Sequence, residues 1–259
     1  MNPQKTKIGL ILLSLNRKGH GWWYHRLLHL FGLDFRGSTL VSKTTTLLSR
    51  PGNMPLKEDG VTPREWVPKC IIVNRKNQTV LNAVSLSGPG LERLLRFGAW
   101  QRCTEPFQIS IMSMAPTNEE QLAELEKIFC RLAAAKVYEP FRAEWGIQMN
   151  RSCPNGGLNP NDLIDATIPV LEMAQKLLPS SIPLTIKFGP EAQPSSMLRI
   201  ANHPRCDALC FCNTLPFGAQ PRWAKKTPPV DWKNLFGTDD PKESPIAKRF
   251  PGFAGGLSG

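Results

Sequence analysis

Short apolar runs bounded by turn residues recur along the chain, at residues 8–14 (IGLILLS), 39–43 (TLVSK), 107–112 (FQISIM), 144–150 (EWGIQMN), 183–188 (PLTIKF) and 207–212 (DALCFC). They lack clean polar alternation, which is how strands covered on both faces of a parallel sheet read. Between them, WYHRLLHLFGL, GLERLLRFGAW, NEEQLAELEKIFCRLAAAKV and LIDATIPVLEMAQKLL carry apolar residues at three and four spacing, the stripe of a helix with one face on a core. Asn118, followed by Glu119 and Glu120, marks a helix start, because an amide can cap the first N–H groups and negative charge suits that end of the helix dipole. Strand-then-helix order, repeated, predicts parallel strands joined by right-handed crossovers.

Six such strands fit either an open doubly wound sheet or a β/α barrel. The first strand-to-helix turn holds no G-x-G-x-x-G, which removes the main support for a dinucleotide-binding sheet. Most strand candidates are followed by loops rich in Asn, Ser, Thr and Lys, as at the ligand-binding face of a barrel. The expected fold is therefore α/β, a (β/α)8 TIM barrel of which about six of the eight strands are present. Residues 47–82 and 215–252, rich in Pro, Gly, Lys and Trp, interrupt the rhythm. They read as excursions over one end of a single domain spanning 1–259, and insertions of that size are often lids or partner surfaces.

Composition narrows the function classes. The net charge of +11 raises nucleic acid as a partner, but the Lys and Arg residues are scattered and no basic stripe interleaves with aromatics. A basic solvated exterior or an anionic small ligand is the better reading, and no nucleic-acid partner is expected. Seven cysteines at irregular spacing do not form a disulfide framework, which points to a reducing compartment. The segment IGLILLSL is too short for a membrane span, which needs roughly 20 apolar residues, and lacks a small-x-small cleavage site. Cytoplasmic localisation is expected. Cys206, Cys210 and Cys212 lie in or beside an apolar strand without C-x-x-C spacing, so core packing is preferred over a metal site. No metal ligand is assigned.

The loops after the strands supply a chemistry. SKTTT follows the second strand, LNAVSLSGPGL the first excursion, MNRSCPN ends the fourth strand, IKFGP the fifth and CNTLPFG the sixth. Gathered on one rim, these bring two lysines, several amides and several hydroxyls around the thiol of Cys153. Such a rim suits a flat, carbonyl-rich ligand and an anion. The bland alternative for Cys153 is a buried, inert cysteine, the common fate of a free thiol.

In order and approximate spacing, SKTTT with RPGNMP, LNAVSLSGPGL, MNRSCPN, PLTIKFGP, CNTLPFG and GGLSG resemble the dihydroorotate dehydrogenases, and the soluble class 1 branch in its cysteine. The resemblance runs from about residue 8 to the last residue. It implies an FMN-dependent (β/α) barrel that oxidises dihydroorotate to orotate in pyrimidine biosynthesis. It further implies that Lys43 contacts flavin and substrate, with Thr44 beside it on the cofactor. Asn82, Leu86, Asn150, Asn155, Asn213 and Thr214 would grip the pyrimidine ring and its carboxylate, Asn150 also touching the cofactor. Lys187 would sit beside the flavin N1 and O2, where negative charge builds on reduction. Gly255 and Gly256 would bring backbone close to FMN. Cys153 would be the base that takes the C5 proton while a hydride leaves C6, a role that suits a thiol whose pKa starts at about 8.5 and falls beside a cation such as Lys43.

The sequence departs from that pattern in places. LLSLNRKG stands where the family has Ala-Ser-Gly, leaving only Ser14 as a match, Ser85 replaces a glycine, and Gly88 replaces an asparagine. The family continues past GGLSG with two further strands and the loops that hold the FMN phosphate, so a fragment of a longer reading frame is expected. Two other readings stay open: a dihydropyrimidine dehydrogenase-like reductase, disfavoured by Asn155, and a non-catalytic paralogue. The implied partner is a dihydroorotate- or orotate-like molecule; the sequence leaves the electron acceptor and a homodimer open.

Overall fold

The structure is a computed structural model that describes residues 29–31, 39–65, 67–151, 166–190, 192, 194–211, 213–220 and 230–258. In chain order the elements are β1 (Leu40–Val41), β2 (Ile71–Asn74), β3 (Thr79–Asn82), α1 (Leu91–Phe97), β4 (Phe107–Ile111), α2 (Asn118–Tyr138), β5 (Trp145–Asn150), α3 (Thr167–Leu177), β6 (Leu184–Lys187), α4 (Pro194–Ala201), β7 (Ala208–Cys210), β8 (Leu215–Pro216), α5 (Trp232–Phe236) and β9 (Gly256–Ser258). The expected strand at 8–14 lies outside the described residues. Of the first expected helix, His29–Phe31 is seen as a single 3₁₀ turn.

The main sheet runs β1-β4-β5-β6-β7 and is parallel throughout. Each strand pairs with the next parallel strand along the chain, and the order never reverses. A doubly wound sheet needs such a reversal, whereas a barrel winds in one direction. The sheet is accordingly a curled half-barrel of five strands, which fits part of a TIM barrel. Among the described residues no helix is long and apolar enough to cross a membrane.

The two faces of this sheet differ in a way the apolar runs conceal. Phe107, Ile109 and Ile111 of β4, Trp145, Ile147 and Met149 of β5, and Leu184 and Ile186 of β6 enter one core. There they meet Leu91 and Leu95 of α1, Leu125, Phe129 and Leu132 of α2, Val170 and Leu171 of α3, and Ile200 of α4. The alternate positions Gln108, Ser110, Gln148, Asn150, Thr185 and Lys187 occupy the opposite face. Both faces of these strands are covered, as expected, but only one of them is apolar: β4, β5 and β6 alternate. Glycine at 146 and the short span of each strand leave the period faint in the letters.

Polar groups on that second face pair with one another. Gln108, registered with Gly146, crosses β5 to donate from Nε2 to Thr185 Oγ1 at 3.0 Å. Gln148 Nε2 donates to Cys210 Sγ at 3.9 Å. Cys210 is therefore a member of this buried polar layer. The cap of α2 also differs from expectation: Thr117, not Asn118, is the capping residue. Its hydroxyl accepts from Glu120 N at 3.2 Å while Glu120 Oε2 accepts from Thr117 N at 3.2 Å, a reciprocal capping box. The crossover helix α4 was not among the expected helices.

The two excursions acquire an organisation of their own. β2 and β3 form an antiparallel hairpin from the first, β8 comes from the start of the second, and β9 from the terminal GGLSG; they join as a sheet in the order β2-β3-β9-β8. Beneath it lies a separate core of Leu81, Ala83, Leu215, Phe217, Trp232 and Ile246. The ring centroids of Phe217 and Trp232 are 4.8 Å apart, and Trp232 Nε1 donates to Ala219 O at 2.9 Å, so the indole buries its body and keeps its one donor satisfied.

Candidate functional site

Five strand ends converge at the carboxyl edge of the parallel sheet. Lys43 and Thr44 follow β1, Ser110 is in β4, Asn150 ends β5, Lys187 ends β6, and Asn213 and Thr214 follow β7. Thr214, Asn213, Asn150, Thr44 and Ser110 form one chain of hydrogen bonds. Thr214 N donates to Asn213 Oδ1 at 3.0 Å, Asn213 Nδ2 donates to Asn150 Oδ1 at 3.1 Å, and Asn150 Nδ2 donates to Thr44 Oγ1 at 3.4 Å. Thr44 Oγ1 and Ser110 Oγ are 2.9 Å apart. Asn150 stands in register with Lys187 of the adjacent strand, so one cation flanks the amide chain.

Lys43 supplies the second cation. Its Nζ donates to the carbonyl oxygen of Ser87. Burial pushes its ammonium down to about 8, offset in part by Cys70, and burial in turn pushes the Cys70 thiol up to about 11. Ser87 is itself locked, its hydroxyl donating to Val84 O at 3.0 Å and accepting from Met54 N at 3.0 Å. Leu86, one residue earlier, is half-buried and sits in the left-handed region at φ 56°, directly after Ser85 at φ 58°.

That pair of left-handed residues is unusual, since a side chain there costs roughly 1–2 kcal/mol per residue. Ser85 stands where the resembled pattern has glycine, and its backbone is in a conformation that glycine adopts freely. Ser85→Gly is expected to stabilise the protein by about 0.5–1 kcal/mol in a denaturant titration. A loss of stability would show that the Ser85 side chain makes compensating contacts.

Asn82, Gly255 and Gly256 belong to the second sheet. Asn82 pairs with Gly256 in the β3–β9 ladder and donates from Nδ2 to Gly256 O at 3.4 Å. Gly255 has φ +89°, and a Cβ there would lie 3.1 Å from Ile246 Cγ1 and 3.3 Å from Asn82 O, so the glycine lets the second core close against β3. The expected residues thus fall into two sets: a strand-end set of Lys43, Thr44, Asn150, Lys187, Asn213 and Thr214, and a second-sheet set of Asn82, Gly255 and Gly256. Leu86 lies in the loop that leads from the second set to Lys43. Cys153 and Asn155 lie outside the described residues.

Sequence reasoning passed over Ser110, Ser87 and Arg151. Ser110 and Gln148 could have been found from the alternation in FQISI and GIQMN. Ser87 offers no such signal, because its role is to present a carbonyl. Arg151 follows Asn150, is buried, and is pushed down to about 10 by that burial. Its Nε donates to Thr167 Oγ1 at 3.2 Å and its Nη1 to Gln121 Oε1 at 3.4 Å, while its backbone N bonds to Lys187 O at 2.9 Å. Beside it a cleft of about 400 Å³ opens at the amino ends of α2 and α3, lined by Asn118, Gln121, Leu122, Arg151, Ala166, Pro169 and Val170.

No protein-family model and no curated protein matches the chain. Two solved structures of DHODH from Eimeria tenella are similar to it. The ligand-free form aligns at 16% identity over 85% of this chain and 57% of that chain, with a TM-score of 0.45. The complex with ferulenol aligns at 15% identity over 86% of this chain and 56% of that chain, with a TM-score of 0.50. The architecture is thus that of a mixed α/β protein with a partial barrel. More particularly, the second alignment supports a DHODH-like fold, and the chain spans 56% of the length of that protein.

Proposed function

We propose that this chain carries the cofactor and pyrimidine rim of a dihydroorotate dehydrogenase-like oxidoreductase, using FMN and acting on a dihydroorotate- or orotate-like ligand. The observation that carries the reading is the gathering of Lys43, Thr44, Asn150, Lys187, Asn213 and Thr214 at the carboxyl ends of the parallel strands, where barrels hold their ligands. The donor set fits the group: two ammonium ions and side-chain amides suit a planar ring rich in carbonyl oxygens and a carboxylate. Bound there, FMN would supply the two-electron acceptor.

The remaining roles belong to the chain. Asn150 and Asn213 orient the ring, each amide being held by the next. Lys43 meets the carboxylate as a point charge, its ammonium placed by the Ser87 carbonyl. Lys187 faces the side on which negative charge develops, where a fixed cation costs no reorganisation. Cys153 is assigned the general base for the C5 proton.

The test is to titrate FMN into the purified chain, and into a form extended beyond Gly259, and to follow bound yellow flavin before and after anaerobic addition of dihydroorotate. Bleaching is the expected result. A folded, colourless protein in both forms would remove the enzyme reading and leave the non-catalytic paralogue. Where flavin binds, Cys153→Ser should slow its reduction at neutral pH by about 10²-fold or more with FMN affinity unchanged, the usual worth of a positioned base. Unchanged reduction would take Cys153 out of the mechanism.

A further inference from the structure

Ser110 is 1% exposed, and its backbone is pinned to the segment after β1 on both sides: Ser110 N donates to Ser42 Oγ at 3.0 Å, and Ser110 O accepts from Thr45 N at 2.8 Å. Its hydroxyl meets Thr44 Oγ1 at 2.9 Å. We propose that Ser110 is a positioning residue that sets the direction of the Thr44 hydroxyl, and so lets position 44 offer a bound heterocycle either a donor or an acceptor.

The amide chain has a fixed polarity. A backbone N–H can only donate, so the bond from Thr214 N assigns Asn213 Oδ1 as the acceptor and turns Asn213 Nδ2 toward Asn150. Asn150 must then accept with Oδ1 and present Nδ2 to Thr44. Flipping either amide would set donor against donor. Every link is thus directed as far as Thr44, and the direction runs out at the Thr44–Ser110 pair, where either hydroxyl can be the donor.

Two arrangements follow, and they exchange by rotating two hydroxyl hydrogens with no heavy atom moving. When Thr44 donates to Ser110, the Thr44 oxygen has used one lone pair on Asn150 and keeps the other for an N–H of the ligand. When Ser110 donates to Thr44, both lone pairs are taken and the Thr44 O–H turns to an acceptor on the ligand. A ring nitrogen that is an acceptor when oxidised and an N–H donor when reduced is satisfied in both states by such a pair. This ligand class rests on the function proposed above; the positioning itself does not.

The two parts separate in one set of variants. In ¹⁵N-labelled protein, Ser110→Ala should shift the side-chain amide signals of Asn150 and Asn213, and Ser110→Thr, which restores a hydroxyl, should return them toward wild type, with thermal melts checking that each variant folds. Unmoved amide signals in Ser110→Ala overturn the proposal whether or not any flavin binds. In the ligand arm, FMN affinity is measured oxidised and after dithionite reduction. Ser110→Ala strands the Thr44 hydroxyl hydrogen only when the ligand is the donor, so affinity for reduced FMN should fall about tenfold while that for oxidised FMN stays within about twofold. A tenfold change in that ratio lowers the two-electron midpoint potential by about 30 mV. Equal loss in both states would mean a merely structural residue and overturn the proposal. Wild type that binds no FMN defeats the function above, and the amide signals still decide the role of Ser110.

Discussion

Lys43→Met is expected to make the protein more stable at pH 7 and to weaken the binding of an orotate-like anion severely. Burial holds the Lys43 ammonium at about 8, below the ordinary lysine value, so the folded state carries a charge it would rather lose. Between pH 8 and about 10.5 the unfolded chain binds this proton and the folded chain does not, and stability therefore rises with pH across that window. Below pH 8 the full cost is present, on the order of 1–3 kcal/mol for a group that is part-buried. Methionine keeps the stem and removes the charge, so it recovers that cost. Denaturant titrations at pH 7 and pH 10.5 check the point: the gain should be present at the first and vanish at the second. A gain that is absent at pH 7 would mean that Lys43 is better solvated than its geometry implies.

The same residue gives a pH dependence of opposite sign for binding. Only the ammonium form attracts a carboxylate, so affinity for orotate should fall about tenfold between pH 7 and pH 9 as Lys43 deprotonates. Lys43→Met should show a weak, flat profile over that range. Stability and ligand affinity then move in opposite directions with pH and with mutation, as expected where a site retains a charge that folding alone would discard.

Asn150→Ala is the second large effect. The amide is 5% exposed and accepts from Asn213 while donating to Thr44. Removing it deprives two half-buried neighbours of a partner, which costs about 1–3 kcal/mol of stability. It also releases the orientation of Asn213, and affinity for a pyrimidine ligand should fall roughly 10- to 100-fold. Because both asparagines belong to one chain of bonds, Asn150→Ala and Asn213→Ala should be far from additive. A double-mutant cycle with a coupling energy near zero would show that the two amides act independently and that the chain has no functional unity.

The parallel strands were legible because each is a local apolar run with a helix of matching period after it, and five of the six expected positions carry strands. Their winding order was legible too, from the absence of a glycine fingerprint and from the polar loops that follow them. The second sheet was not. β8 and β9 have two and three residues, too few to show any period, and Asn82 meets Gly256 across 174 positions of chain. A pairing of that range leaves no trace in a local window. The polarity of the sheet's second face was half legible, for the alternation in FQISI is plain once the register places Ser110 beside Gln148.

The candidate residues divide on the same line. Composition and order alone named two lysines and a set of amides as the donors of a rim, because residue type decides what a side chain can donate and accept. Which of them touch, and which way each hydrogen points, came only with the fold. The lysine ammonium is placed by a carbonyl of a distant loop, and the amides are oriented by a backbone N–H beyond β7. Residue chemistry is carried by the letter, but a hydrogen bond's direction is a property of two groups, and the second group is brought into place by packing far along the chain.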